Sequence, residues 1–169
     1  MRPAWSVVLL TTLIGAGQGL YLALFAAELA GLGGSTLFVP AAAVSLALLG
    51  AGLVASFFHL GRPERAWRSA AMWRSSWLSR EVIVLPAFMA AVLAWGAAHA
   101  LGEPTLALGV AGAVLALALF VCTGMIYACL PFLQEWRTPL TVVNFTLLGS
   151  ASGLTAAAAL AAQIGRAHV

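Results

Sequence analysis

The residues in this chain able to take part in chemistry are few, and most fall in one stretch. Residues 59–81 read HLGRPERAWRSAAMWRSSWLSRE. His59 opens it, with an imidazole that exchanges its proton near neutral pH. Glu81 closes it with a carboxylate. Between them lie Arg62, Arg65, Arg68, Arg74 and Arg80, five of the eight arginines of a chain that has no lysine and no aspartate. Trp67, Trp73 and Trp77 are interleaved with them. Gln18 adds a carboxamide inside the first apolar run. A quinone headgroup asks for this kind of set: hydrogen-bond partners for two ring oxygens and a group that exchanges protons. Plainer readings stand beside it. His59 also fits a helix end, bonded to a carbonyl, and Gln18 fits an ordinary interhelical hydrogen bond. Glu28 lies near the end of its run and is expected to reach the interface.

Other chemistry has no support. There is no phosphate-binding glycine motif, no Cys–His zinc pattern and no nucleophile triad. Cys122 and Cys129 lie seven apart in one apolar run and read as small hydrophobes on one helix face; two thiols alone hold neither zinc nor an iron–sulfur cluster. A transmembrane haem needs two axial ligands at one depth. His59 and His99 fall at opposite membrane faces, so no haem and no metal site is expected. Net charge is +3, carried by a few local arginines, which is not a nucleic-acid signature.

The elements that position these residues follow from hydropathy. The chain has 169 residues, 63% hydrophobic and 8% charged, against about 25% charged in soluble domains. Apolar runs long enough to cross a hydrocarbon core of about 30 Å recur along it. The expected fold is all-α, a polytopic transmembrane bundle forming one domain over residues 1–163, with helices at about 5–30, 38–60, 81–100, 106–130 and 140–163. Gly15/Gly19 and Gly149/Gly153 form two G-x-x-x-G pairs suited to close helix packing. Pro63 can open a short surface helix, with Arg62, Arg65 and Arg68 on one side. Ser79 is expected to cap the third span, with Glu81 in its first turn.

Counting faces by helix parity, Arg2, the five loop arginines and Arg137 all fall on one side, and the 31–37 and 101–105 turns on the other carry none. The positive-inside tendency makes the arginine side cytoplasmic, so loops 61–80 and 131–139 are expected there, in a bacterial inner membrane. The final residues, IGRAHV, break an apolar run without turn or cap logic. They match one reading frame of a common sequencing-library adapter, and we read 164–169 as foreign sequence at a truncation point.

His59-Leu60-Gly61, Pro63 and Ser76-x-Leu78-Ser79-x-Glu81, with GAGQGL in the first span and WRTPLTVVNF before the fifth, resemble the dimethyl sulfoxide reductase anchor subunits (DmsC) among NrfD-like membrane subunits. Within that family the wording is most similar to the anchors of cytoplasm-facing, sulfite-oxidising molybdoenzyme complexes. The resemblance implies about eight helices, of which five are present here. It implies no cofactor held by the chain itself, with menaquinone or ubiquinone as exchangeable substrate. It also implies two partners besides membrane lipid: a four-cluster ferredoxin-like iron–sulfur subunit and a molybdopterin catalytic subunit. On this reading His59, Gln18 and Glu81 bind quinone. The docking surface is Arg62, Arg65, Arg68, Trp67, Trp73, Arg74 and Trp77, continued by Trp136 and Arg137. The alternatives are a purely structural anchor without quinone binding and, with less support, a small transporter; the latter asks for charged or broken helices near the midplane.

Overall fold

A computed structural model of the chain describes residues 5–58, 63–131 and 134–167. Five long helices account for most of them: α1 (Trp5–Leu29), α2 (Ser35–Phe57), α3 (Trp77–Leu101), α4 (Leu106–Ala128) and α5 (Pro139–Ala167). There is no strand among the described residues. All five helices are long and apolar enough to cross a membrane, as the hydropathy pattern requires. In α1 to α4 only about a third of each span is buried by protein. Their outer faces carry Leu, Val and Ala, the surface that acyl chains cover.

The helices run alternately up and down, and neighbours in sequence are neighbours in space. Contacts run α1–α2, α2–α3, α3–α4 and α4–α5, α5 closes the ring onto α1, and α4 also touches α1. The α1–α5 closure depends on glycine. Gly19 of α1 faces Gly149 and Gly153 of α5 so closely that a Cβ on Gly19 or Gly153 would strike the partner backbone. The two G-x-x-x-G pairs therefore pack on each other, where small residues let backbones approach. On the opposite side of α1, Tyr21 and Phe25 fill the space left by Gly112 and Gly109 of α4. Tyr21 Oη donates to the Gly109 carbonyl (3.1 Å), and its ring meets Phe88 and Trp95 of α3 edge-on. Ser45 Oγ of α2 donates to the Gly17 carbonyl (2.9 Å).

Several boundaries differ from expectation. α3 begins at Trp77, with Ser76 rather than Ser79 as its cap; Ser76 is extended and its Oγ accepts from the Ser79 N–H (3.4 Å). Ser79 is buried within the first turn, and Glu81 becomes the fifth residue of the helix, facing inward instead of capping it. α4 ends at Ala128, short of Pro131, because a residue before proline avoids helical geometry. Cys129 is therefore the cap residue, exposed, while Cys122 is buried; the reading of both as buried on one face holds for Cys122 alone. α3 ends on Gly102 with φ 73°, the left-handed conformation a glycine adopts without strain.

The surface segments are short 3₁₀ helices, Pro63–Met72 and Gln134–Trp136. The first starts at Pro63, as its fixed φ favours. With three residues per 3₁₀ turn, Arg65 and Arg68 stack on one side, and both are exposed.

Candidate functional site

The end of the bundle that carries the arginines holds a cavity of about 540 Å³, within the roughly 300–1,000 Å³ range of small-molecule sites. Its walls come from four helices: residues between Leu10 and Gln18 of α1 and between Leu140 and Ser152 of α5, with Glu81 of α3 and Phe120 of α4. Gln18 of α1, Glu81 of α3, Thr123 of α4 and Asn144 of α5 line it, with Glu135 and Trp136 at its surface end.

Gln18 and Glu81 are each tied to α4 by a hydrogen bond across helices. Gln18 is 1% exposed, and its Nε2 donates to the Ala116 carbonyl of α4 (3.3 Å). The plainer reading of Gln18 as an interhelical bond is thus correct. One amide N–H and the amide carbonyl remain beyond that bond, on a residue that lines the cavity. Glu81 accepts a hydrogen bond from Thr123 Oγ1 at 2.5 Å. Thr123 is buried, so its hydroxyl is committed to the carboxylate. At the mouth, Trp136 packs edge-on against Tyr127 (5.2 Å), which stacks on Phe145 of α5 (5.1 Å). A half-buried carboxylate and a carboxamide can bracket a polar ring by hydrogen bonds, and the carboxylate can exchange a proton with it.

Of the residues expected to bind quinone, Gln18 and Glu81 come together on this cavity; His59 lies outside the described residues, as does Arg62. Of the expected docking residues, Arg65, Trp67, Arg68, Trp73 and Arg74 are exposed on the segment after α2, and Trp136 and Arg137 are exposed beside the cavity mouth. Trp77 is half-buried, and the guanidinium of Arg80 lies over its ring at 4.1 Å. Arg80 also donates to the Trp73 and Arg74 carbonyls, both at 2.9 Å, so it fastens the loop to α3. Arg68 and Arg74 stand over the rings of their own neighbours, Trp67 and Trp73 (5.9 and 5.4 Å).

Reading residues one by one missed Thr123, Asn144 and Glu135 as parts of the site. Helix parity carried the signal for Thr123: the fifth residue of α3 and a residue near the end of α4 stand at similar depth on one face.

The far end of the bundle holds a second polar cluster. Glu28 of α1 accepts hydrogen bonds from Trp95 Nε1 (2.8 Å) and from Thr105 Oγ1. His99 Nε2 stands 3.3 Å from Glu28 Oε1, off hydrogen-bond geometry, and that nitrogen is buried without a hydrogen bond among the described residues. The His99 ring is wedged between Trp95 and Phe38. Glu28 is therefore anchored inside the helix ends rather than reaching the interface. No group of three or more His, Cys, Asp or Glu residues able to hold a metal occurs among the described residues.

Comparison with known proteins gives two positive findings. The family model described as "DMSO reductase anchor subunit (DmsC)" matches residues 1–168. A curated relative, one of the sulfite dehydrogenase subunits of Allochromatium vinosum, is 58% identical over 98% of this chain. The chain spans 57% of the length of that relative. No solved structure matches. A whole-chain family match and a relative of this identity lead to one conclusion: the chain belongs to the DMSO reductase anchor subunit (DmsC) family.

Proposed function

We infer that the chain is the quinone-reactive part of a membrane anchor subunit in a sulfite dehydrogenase or DMSO reductase-type molybdoenzyme complex. The observation that carries this reading is the cavity on the arginine side, where Gln18 and the Thr123-bound Glu81 meet within the membrane. Ionisable groups at that depth are costly and are retained mainly for function.

The relative's name, a sulfite dehydrogenase subunit, supports sulfite as the electron source, and on the quinone reading the electrons then pass to quinone. In that direction the quinone takes up two electrons and two protons and leaves as the quinol. The electrons come from the iron–sulfur subunit docked on the same face. The protons come from the aqueous side, through the mouth near Glu135. Glu81 accepts a proton there and passes it to a ring oxygen, and Thr123 keeps its carboxylate aimed. Gln18 fixes the other side of the ring with its free amide groups. His59 is the further proton carrier implied by the family resemblance. With a quinol-oxidising partner the same groups work in reverse.

The exposed Arg65, Arg68, Arg74 and Arg137, with Trp67 and Trp73, form the docking face for the four-cluster ferredoxin-like subunit, beyond which the molybdopterin subunit sits. All of these lie on the side proposed as cytoplasmic in a bacterial inner membrane. The chain itself holds no redox cofactor on this reading; menaquinone or ubiquinone is the exchangeable substrate.

Titration of the purified complex with a fluorescent quinone-site inhibitor of the hydroxyquinoline N-oxide type tests the reading. Saturable quenching that weakens in Gln18→Leu and His59→Arg is expected. Equal binding in all three proteins favours a purely structural anchor.

A further inference from the structure

Arg80 and Glu81 are consecutive residues of α3 that reach for different partners. The Arg80 guanidinium turns back to the loop: Nε donates to the Trp73 carbonyl and Nη2 to the Arg74 carbonyl, both at 2.9 Å, and the group lies over the Trp77 ring at 4.1 Å. Glu81, about 100° further round the helix, meets Thr123 of α4 at the cavity wall. Arg68 and Arg74 stand over the rings of their own sequence neighbours. Arg80 instead joins two separate elements, the loop and the head of α3.

The joint is braced on both sides. The Ser75 and Ser76 N–H groups both donate to the Met72 carbonyl (3.1 and 2.9 Å), and the Arg80 N–H donates to the Ser76 carbonyl (3.3 Å). Ser76 Oγ accepts from the N–H of Ser79, which is buried. Residues 72–76 therefore cannot shift without carrying the first turn of α3 with them. A guanidinium presents its donors in a rigid planar fork. With two of its five N–H groups spent on adjacent carbonyls, it sets the orientation of the segment bearing Trp73 and Arg74 as well as its distance. On the docking reading those two side chains meet the iron–sulfur subunit. One braced step thus separates a group that meets the electron donor from the carboxylate that meets the ring.

Resting on the quinone and docking readings above, we propose that Arg80 is a positioning residue for electron and proton delivery. It holds the docking segment in fixed register with Glu81, so that the seated iron–sulfur subunit and the proton-carrying carboxylate are set against the same quinone ring. A displacement of about 1 Å at a reacting group can cost on the order of a hundredfold in rate, so such a joint acts on kcat. Arg80 itself does not touch the ring, and quinone affinity does not depend on it.

The test uses the assembled complex in membranes, with quinone-linked and dye-linked turnover measured side by side. Arg80→Gln keeps a donor but loses the fork and the stacking on Trp77. It is expected to lower quinone-linked kcat by roughly tenfold, with the quinone KM and dye-linked turnover little changed. An unchanged kcat, a raised KM alone, or an equal fall in dye-linked turnover overturns the proposal. Arg80→Lys keeps the charge without the planar fork and should recover only part of the loss; full recovery means that charge alone matters, and positioning is wrong. Thr123→Val disturbs the same carboxylate from its other side. Combined with Arg80→Gln, its effect on kcat should depart from simple multiplication by roughly threefold or more, and independent effects overturn the coupling. A measurement on the unaltered complex removes dependence on folding of the variants. Coupling between two sites is reciprocal, so a hydroxyquinoline N-oxide inhibitor should slow amide hydrogen exchange at residues 73–76; exchange unaffected there overturns the proposal. Glu81→Gln separates the two layers. If it leaves quinone-linked turnover intact, the site reading fails and the positioning role with it. If it impairs turnover while Arg80→Gln does not, the positioning role alone is wrong.

Discussion

Thr123 on α4 gives its hydroxyl proton to Glu81 on α3 at 2.5 Å, joining the end of one membrane helix to the start of another at the wall of the cavity. Thr123→Val keeps the shape and removes the donor. The carboxylate then stands half-buried without its partner, at a cost of about 1–3 kcal/mol. We expect a lowered Tm of the detergent-solubilised complex together with reduced quinone-linked turnover, and recovery of both in Thr123→Ser.

Gly19→Ala is expected to separate α5 from α1. The added methyl would occupy the position of the Gly149 and Ser150 backbone, which cannot move aside as a flexible side chain can. Overpacking of this kind typically costs about 1–3 kcal/mol. Disulfide trapping between cysteines placed on α1 and α5 reads the outcome: trapping falls in the variant, whereas Gly50→Ala, facing open space, leaves it unchanged.

The Glu28 cluster should matter for stability and not for turnover. Glu28→Ala orphans Trp95 Nε1 and the Thr105 hydroxyl, each loss costing about 1–3 kcal/mol. Thermal denaturation of the complex should register it, while quinone-linked turnover per assembled complex stays near normal, because the cluster lies at the opposite end from the cavity.

What the sequence disclosed depended on whether the signal was local. The five spans were legible because hydropathy is a property of consecutive residues, and Gln18 and Glu81 stood out as polar groups in or beside apolar runs. The α3 start was misplaced because Ser76 and Ser79 are both capable caps, and the choice between them was decided by the buried position of Ser79. Thr123 and Asn144 look like ordinary helix residues until the ring order brings α4 and α5 beside α1. Glu28 and His99 were each seen near a helix end, but their meeting depends on Trp95 and Phe38 filling the space between three helices.

The arginines divide into two groups by their partners. Arg80 is bonded to two loop carbonyls, so Arg80→Ala should loosen residues 73–76, seen as faster proteolysis of the loop. Arg65→Glu and Arg68→Glu, on an exposed side of the 3₁₀ segment, should leave the loop intact and weaken capture of the iron–sulfur subunit. That weakening should be largest at low salt and shrink as salt is raised, since exposed charges are screened over about 8–10 Å.

Topology follows from the same loop. A cytoplasm-active reporter fused after Trp73 should give signal, and a periplasm-active reporter should be silent there and active in the 103–104 turn. The reverse pattern contradicts the cytoplasmic placement of the arginine face.

The central claim is that Glu81 serves quinone chemistry in this cavity, and one comparison reaches it most directly. Turnover of the assembled complex is measured with quinone as electron partner, and in parallel with a soluble dye that exchanges electrons at the catalytic subunits. In Glu81→Gln, which keeps size and a hydrogen-bond acceptor for Thr123 but cannot carry the proton, quinone-linked turnover should fall at least about a hundredfold, the scale of a lost general acid–base group, with dye-linked turnover preserved. Unchanged quinone-linked turnover in a fully assembled Glu81→Gln complex would contradict the account.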